Sequence, residues 1–199
     1  MAPLFAQDPL ALGVWVAGLL TWRVLEAIVD LRTVRQRRGG LRRQDRGSRL
    51  LLLCLILGGG FLGVLVAVKV PATAITAAPT VLPWLGVLLL FAGMALRLQA
   101  IVLLGPFFTT TVAIAPGQTV IERGPYRCIR HPCYTGLLLI LLGLSLGLAN
   151  WLSLLTIMGC AMIGLAYRIR VEETALREGF GQRYREYARR TKRLIPRVL

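Results

Sequence analysis

Acidic residues are scarce in this chain of 199 residues, which has 9 Asp and Glu against 24 Lys and Arg. Long stretches lack charge of either sign, although 56% of the residues are hydrophobic. A soluble domain would not segregate its apolar residues into such runs. Uncharged runs of about 20 residues match the thickness of the hydrocarbon core of a bilayer, where helices satisfy the backbone hydrogen bonds. The sequence therefore predicts an integral membrane protein.

The chain also has only one histidine and four cysteines. Cys128, His131 and Cys133 lie close together, but their spacing fits none of the common zinc patterns and no fourth ligand follows, so we predict no metal. The net charge of +15 would by itself suit nucleic acid. The basic residues flank apolar runs, however, where they suit anionic headgroups of membrane lipids, and we expect no nucleic-acid partner.

Five apolar segments predict transmembrane helices at 10–29, 50–70, 84–104, 133–149 and 151–167. The last two are short and meet at Asn150, which indicates a helical hairpin. From Arg168 onward the pattern predicts an amphipathic tail helix, weakened at Gly179 and Gly181. The predicted fold is all-α and polytopic, with residues 1–199 forming one membrane domain. Residues 10–104 carry three spans, and residues 105–199 carry a cofactor-binding loop, the hairpin and the tail.

The arginines indicate how the chain is oriented. The segment 32–49, the connection before the hairpin and the tail are all basic, whereas the outer segments are nearly uncharged. By the positive-inside rule the basic segments face the cytoplasm, so five spans place the N-terminus outside and the C-terminus inside. The N-terminus itself lacks the basic residue and the cleavage site of a signal peptide.

Small and charged residues within the apolar runs have simple interpretations. Gly58, Gly59, Gly60 and Gly63 in the second span predict close helix packing rather than a phosphate loop, as do Gly143 and Gly147 in the hairpin. The simplest interpretation of Glu26 is that the first helix reaches the membrane interface near this residue. Arg97, near the inner end of the third span, either extends to the interface or takes part in a site.

Two polar segments on the cytoplasmic side are candidates for chemistry. In the first, Pro132 suits the first turn of a helix, whose free amides favour an anion such as a carboxylate. His131 could cap this helix or bind a ligand, although an interfacial histidine is the simpler interpretation. In the second, Arg168 and Glu172 share a helical face. They form either a surface ion pair or a divided site, with Glu172 binding a cationic or hydroxylated ligand and Arg168 an anion.

These segments resemble the isoprenylcysteine carboxyl methyltransferases and their bacterial and archaeal relatives over roughly the C-terminal half. The resemblance is carried by residues 124–127 (GPYR) and 130–136 (RHPCYTG), and by 97–105 with Phe108 and Thr109. After the hairpin it continues with Arg168, Glu172, Glu173, Phe180, Gly181, Tyr184, Tyr187 and Pro196.

The resemblance implies a binding cleft for S-adenosylmethionine and a catalytic, substrate-binding role for Arg168. Thr111 stands where the family usually has a glutamine that contacts the cofactor. The implied cofactor-binding residues are Gln118, Thr119, Val120, Ile121, Tyr126, His131, Pro132, Cys133, Tyr134 and Glu172.

The predicted function is therefore an integral membrane methyltransferase that acts at the cytoplasmic face on a lipid-like or prenylated substrate, most directly the carboxylate of an isoprenylcysteine. Methylation of a phospholipid amine or a small thiol stays open. An NADPH-dependent reductase resembling the sterol reductases is a second alternative, although those enzymes are typically longer. A scaffold that binds anionic lipids would leave the joint pattern around His131 and Glu172 unexplained.

Overall fold

The protein forms six α-helices in a computed structural model that describes residues 8–36, 42–43, 45–76, 78, 80–114 and 117–195. The only strands within these ranges are Arg42–Arg43 and Ala113–Ile114, which pair antiparallel. Three short 3-10 turns span Pro71–Thr73, Gly105–Phe107 and Gly124–Arg127. The helices are α1 Pro9–Gln36, α2 Ser48–Lys69, α3 Val81–Leu104, α4 Pro132–Gly147, α5 Trp151–Phe180 and α6 Gln182–Arg190.

Four of these helices (α1, α2, α3 and α5) are long and apolar enough to cross a membrane. The remaining predicted span, 133–149, corresponds to α4, whose 16 residues rise about 24 Å, somewhat less than the hydrocarbon thickness of about 30 Å. Large apolar side chains such as Phe61 and Val68 of α2 point outward, as expected where lipid is the solvent. The predicted all-α, polytopic membrane fold is confirmed.

Helix α5 extends beyond its predicted end at residue 167 and continues to Phe180. The helical pattern has no strong breaker in this stretch, and Gly179 is accommodated within it. Gly181 adopts a φ of +55°, which glycine tolerates and which ends the helix. The predicted amphipathic tail is therefore divided between the last turns of α5 and the separate helix α6.

Four glycines bring α3 and α4 into backbone contact. Gly86 and Gly93 face Gly143 and Gly136, and in both helices the pair is seven residues apart and lies on one face. A Cβ atom at Gly136 would lie 2.7 Å from the carbonyl oxygen of Gly93, and one at Gly143 would lie 2.5 Å from that of Gly86. Only glycine permits such a close approach of the two backbones.

Glycines also seat α2 against α5. A Cβ atom at Gly59 would lie 2.7 Å from the Cβ of Cys160, and one at Gly63 would lie 2.6 Å from the side chain of Ile157. The predicted packing role is thus confirmed for these two residues. A Cβ atom placed on Gly58 or Gly60 would meet no described atom of a neighbouring element within 4 Å, because these residues lie on another face of the helix, so the predicted packing role is wrong for them.

We expect Gly136→Ala to destabilise the protein, because the added methyl group meets the α3 backbone; overpacking of this kind costs about 1–3 kcal/mol. Gly58→Ala is the matched control, since its methyl group enters open space and alanine favours a helix over glycine. Thermal unfolding of both variants in the same detergent measures the difference. Equal midpoints would show that the α3–α4 contact is looser than described.

Candidate active site

A cavity of about 440 Å³ lies where the end of α3, the start of α4, the last turns of α5 and helix α6 converge. The connection between α3 and α4 supplies another wall through residues 107–112 and 118–121. Helices α1 and α2 contribute charged side chains, such as that of Glu26, and apolar ones, including Trp22 of α1 and Leu53 and Ile56 of α2. One cavity therefore joins a polar region to the apolar core of the membrane domain.

Helix α5 contributes a stripe of side chains spaced four residues apart. Arg168, Glu172, Leu176 and Phe180 all line the cavity, because residues four apart lie above one another on a helix. The extension of α5 beyond the predicted span is what carries this stripe past the apolar region. The predicted shared face of Arg168 and Glu172 is thus present, and it faces the cavity rather than the surface.

The start of α4 meets this stripe. The hydroxyl of Tyr134 donates a hydrogen bond to Oε2 of Glu172 at 2.5 Å. The buried ring of His131 stacks on that of Tyr134 with centroids 5.5 Å apart, and its Nδ1 lies 4.0 Å from Oε1 of Glu172. The two polar segments singled out in the sequence therefore come together in one site.

Arg168 is almost fully buried, with four of its donors hydrogen-bonded. Its Nη1 donates to Oδ1 of Asp45 and, at 2.8 Å, to Oγ of Ser48. Its Nη2 donates to the carbonyl of Thr110 at 2.9 Å, and its Nε donates to the hydroxyl of Tyr134 at 3.1 Å. Arg168 and Glu172 are thus linked through Tyr134, not through a direct ion pair.

Asp45 is ionised in this setting. Burial raises its pKa, but the hydrogen bond from the Val112 amide and the positive charge of Arg168 oppose that effect, and the net pKa lies below its usual value. The sequence analysis did not select Asp45. Its signal was its position as an acid within the otherwise basic segment 32–49.

Glu173, next to Glu172 but on another face of α5, forms a buried ion-pair cluster. Its carboxylate accepts hydrogen bonds from Nε of Arg130 at 3.0 Å, Nη2 of Arg177 at 2.9 Å and Nη2 of Arg193 at 3.1 Å. Nε2 of His131 lies 3.6 Å from the same carboxylate, beyond hydrogen-bonding distance. The cluster ties α5 to the segment before α4 and to the segment after α6.

The segment after α6 docks onto the start of α4. The amides of Arg130 and His131 donate to the carbonyls of Lys192 and Arg193 at 2.7 and 3.0 Å. The hydroxyl of Tyr187 in α6 donates to the carbonyl of Tyr126 at 2.8 Å. The residues that close the cavity near His131 are therefore held in place by the end of the chain.

Glu26 and Arg97 correct an expectation from the sequence. Glu26 does not end at the interface as a lone acid, because it pairs with Arg97 of α3 at 2.5 and 2.9 Å. Arg97 also donates to the carbonyl of Cys133 at 3.1 Å and lines the cavity. The ion pair balances two charges, each of which would be costly alone in an apolar region. Of the two interpretations of Arg97, extension to the interface or participation in a site, the geometry favours the second.

Nearly all of the residues predicted for the site reach the cavity. Pro132 is the exception, since it is buried at the first position of α4 and is absent from the lining. Thr111, whose role the sequence left open, is also part of the wall. The predicted residues that line the cavity are Gln118, Thr119, Val120, Ile121, Tyr126, His131, Cys133, Tyr134, Arg168 and Glu172.

Comparison with known proteins identifies the same region. Residues 84–178 match the model of the isoprenylcysteine carboxyl methyltransferase family. A probable protein-S-isoprenylcysteine O-methyltransferase from Oryza sativa subsp. indica is 32% identical over 115 residues, which cover 57% of this chain and 60% of that protein. The protein-S-isoprenylcysteine O-methyltransferase of Schizosaccharomyces pombe is 30% identical over 151 residues, covering 74% of this chain and 64% of that protein. The chain thus spans less than two thirds of the length of these relatives.

The fold also matches a solved structure. The eukaryotic intramembrane Ras methyltransferase superposes on 96% of this chain and 69% of its own, with a TM-score of 0.64 and 19% identity. At this identity the similarity establishes a shared fold and extends it to the helices before residue 84, where the family model does not reach.

We expect Glu173→Ala to destabilise the protein by about 3–5 kcal/mol, because it leaves Arg130 buried without its carboxylate partner. Glu122→Ala is the control: its pair with Arg190 is exposed, and such a pair contributes about 0–1 kcal/mol. Thermal unfolding in detergent compares them. A Glu173 variant as stable as the control would mean that the cluster does not hold the tail onto α4.

Proposed function

We propose that this protein is an integral membrane enzyme that transfers a methyl group from S-adenosylmethionine to a lipid-like substrate, because residues 84–178 match the model of the isoprenylcysteine carboxyl methyltransferase family. The proposed acceptor is the carboxylate of an isoprenylcysteine. The observation that carries the proposal is the cavity in which the start of α4 meets Glu172 and which continues to apolar side chains of α1 and α2.

The residues around His131 and Glu172 fit the proposed cofactor. S-adenosylmethionine has an anionic carboxylate, a cationic ammonium and ribose hydroxyls. In the first turn of α4 the amides of Tyr134 and Thr135 already donate to the carbonyl of His131, which leaves the amide of Cys133 to suit the carboxylate. Glu172 suits the ammonium or the hydroxyls. His131 lines the cavity and its Nδ1 lies 4.0 Å from Glu172, so a ligand bound at Glu172 would also meet this ring. Residues 118–121 also line the cavity, so they are placed to contact the cofactor.

Catalysis under this proposal is mainly a matter of position. The sulfonium of the cofactor supplies an electrophilic methyl group and leaves as a neutral thioether. A carboxylate acceptor is already ionised at neutral pH, so the site needs no general base. Arg168 orients the acceptor, and the buried walls exclude water. Alignment of two reactants in this way can lower a barrier by about 7–11 kcal/mol.

The apolar end of the cavity supports a lipid tail on the acceptor. Trp22, Leu53 and Ile56 belong to α1 and α2, two helices that are long and apolar enough to cross a membrane. A prenyl chain held against such side chains leaves its polar end near Arg168. We further propose that this polar end faces the cytoplasm, with the N-terminus outside and the C-terminus inside, because the arginine-rich segments lie at that end.

Methyl transfer to defined acceptors tests the proposal. Purified protein with radiolabelled S-adenosylmethionine should label a farnesylcysteine carboxylate and should not label the corresponding methyl ester. A phospholipid amine and a small thiol test the two other acceptors. Transfer only to one of these would replace the proposed substrate. Binding of NADPH with no binding of S-adenosylmethionine would overturn the methyltransferase itself and favour a reductase.

Glu172→Gln should weaken the binding of S-adenosylmethionine about tenfold, because the amide keeps the shape but loses the charge and one acceptor for the cofactor. Glu186→Gln is the matched control, since Glu186 is exposed on α6 and its carboxylate accepts a hydrogen bond from the side chain of Gln182, away from the cavity lining. Calorimetry with the purified variants measures both affinities. Unchanged affinity for Glu172→Gln would remove this residue from the proposed cofactor site.

A further inference from the structure

Asp45 lies outside the region that matches the family model, yet it contacts the centre of the cavity. It precedes α2, and its carboxylate accepts hydrogen bonds from the amides of Arg49 and Val112, each at 3.2 Å. Ser48 donates to it at 3.3 Å, and Nη1 of Arg168 donates to it as well. Three separate parts of the chain therefore meet at one half-buried acid.

These contacts fix Asp45 against Arg168. Its side chain is 16% exposed and that of Arg168 is 5% exposed, so the pair is largely shielded from water. The amides that bond Asp45 belong to the backbone and cannot rotate away. A ligand that displaced this carboxylate would have to break four hydrogen bonds, so Asp45 is placed to stay beside Arg168 during a reaction.

These contacts leave Arg168 with few N–H donors for a further hydrogen bond. A guanidinium has five N–H donors, and the described residues accept from four of them: Tyr134, Asp45, Ser48 and Thr110. One donor is left for a ligand in the cavity that Arg168 lines. The positive charge is already balanced by Asp45, so the remaining donor acts as a directional hydrogen bond and adds little net charge.

This balance matters for a carboxylate nucleophile. During methyl transfer an oxygen–carbon bond forms, the carbon–sulfur bond breaks with its electron pair going to sulfur, and the carboxylate becomes a neutral ester. A free guanidinium would bind the charged reactant more tightly than the transition state, in which that charge is disappearing. Binding of this kind tightens substrate association and slows the chemical step.

We propose that Asp45 is a positioning residue that balances the charge of Arg168, so that Arg168 orients the acceptor carboxylate without trapping it in a tight ion pair. The inference rests on the proposed function, since it concerns how a carboxylate acceptor is held. It assigns to the segment before α2 a role in the reaction, in addition to its place next to the membrane.

Asp45→Asn tests the inference, because asparagine keeps an acceptor for Arg168 and Val112 but removes the charge. We expect both KM and kcat for a farnesylcysteine acceptor to fall about tenfold. The affinity for the acid relative to its methyl ester, measured by equilibrium binding, should rise about tenfold. Asp8→Asn is the matched control: Asp8 also bonds backbone amides at the start of a helix, α1, and lies outside the cavity lining.

The outcomes separate the inference from the proposed function. A purely structural role predicts that Asp45→Asn lowers kcat with an unchanged or higher KM and leaves the acid-to-ester ratio at the wild-type value, and this result would overturn the inference. Wild-type protein that transfers no methyl group to any acceptor overturns the proposed function. The binding ratio needs no turnover, so it decides the charge balance independently of that assay.

Discussion

The ion pairs of the buried Glu173 carboxylate are the interactions on which the shape of the cavity depends. It binds arginines from the segment before α4, from α5 itself and from the end of the chain. An acid surrounded in this way is stable in a low-dielectric setting only while its partners stay in place. Because Arg130 is one of those partners, the adjacent His131 is fixed at the edge of the cavity, where it meets Glu172.

The need to pair each shielded charge with an opposite one also explains where the few acidic residues of this strongly basic chain lie. Arg97, Arg130 and Arg168 reach the cavity from three different segments. Each is matched by an acid from elsewhere in the chain, namely Glu26, Glu173 and Asp45. Three of the 9 acidic residues therefore neutralise arginines that are largely shielded from solvent at one site. Because these three arginines have acidic partners within the protein, the remaining arginines are available to interact with lipid headgroups at the membrane surface.

The sequence predicted the membrane helices, because apolar runs are local signals. The resemblance carried by RHPCYTG and by the residues after the hairpin implied that two polar segments share one cleft. The sequence did not predict the partners of Arg97 and Arg168. Glu26 is 71 residues from Arg97, and Asp45 is 123 residues from Arg168. Such pairs follow from the packing of α1, α2, α3 and α5, which no local pattern encodes. The end of α5 was misjudged for a related reason, since a change from apolar to charged residues marks the membrane boundary and not the end of a helix.

The geometry of the site also depends on the glycine contact between the apolar helices α3 and α4. A Cβ atom at Gly136 would lie 2.9 Å from the backbone nitrogen of Arg97 as well as close to Gly93. Arg97 in turn donates to the carbonyl of Cys133, in the first turn of α4. The close approach of the two helices therefore sets both the depth of α4 and the position of Arg97 at the cavity wall. A wider separation would move the first turn of α4 away from Arg97 and Glu172 together, so helix packing and the geometry of the site cannot vary independently.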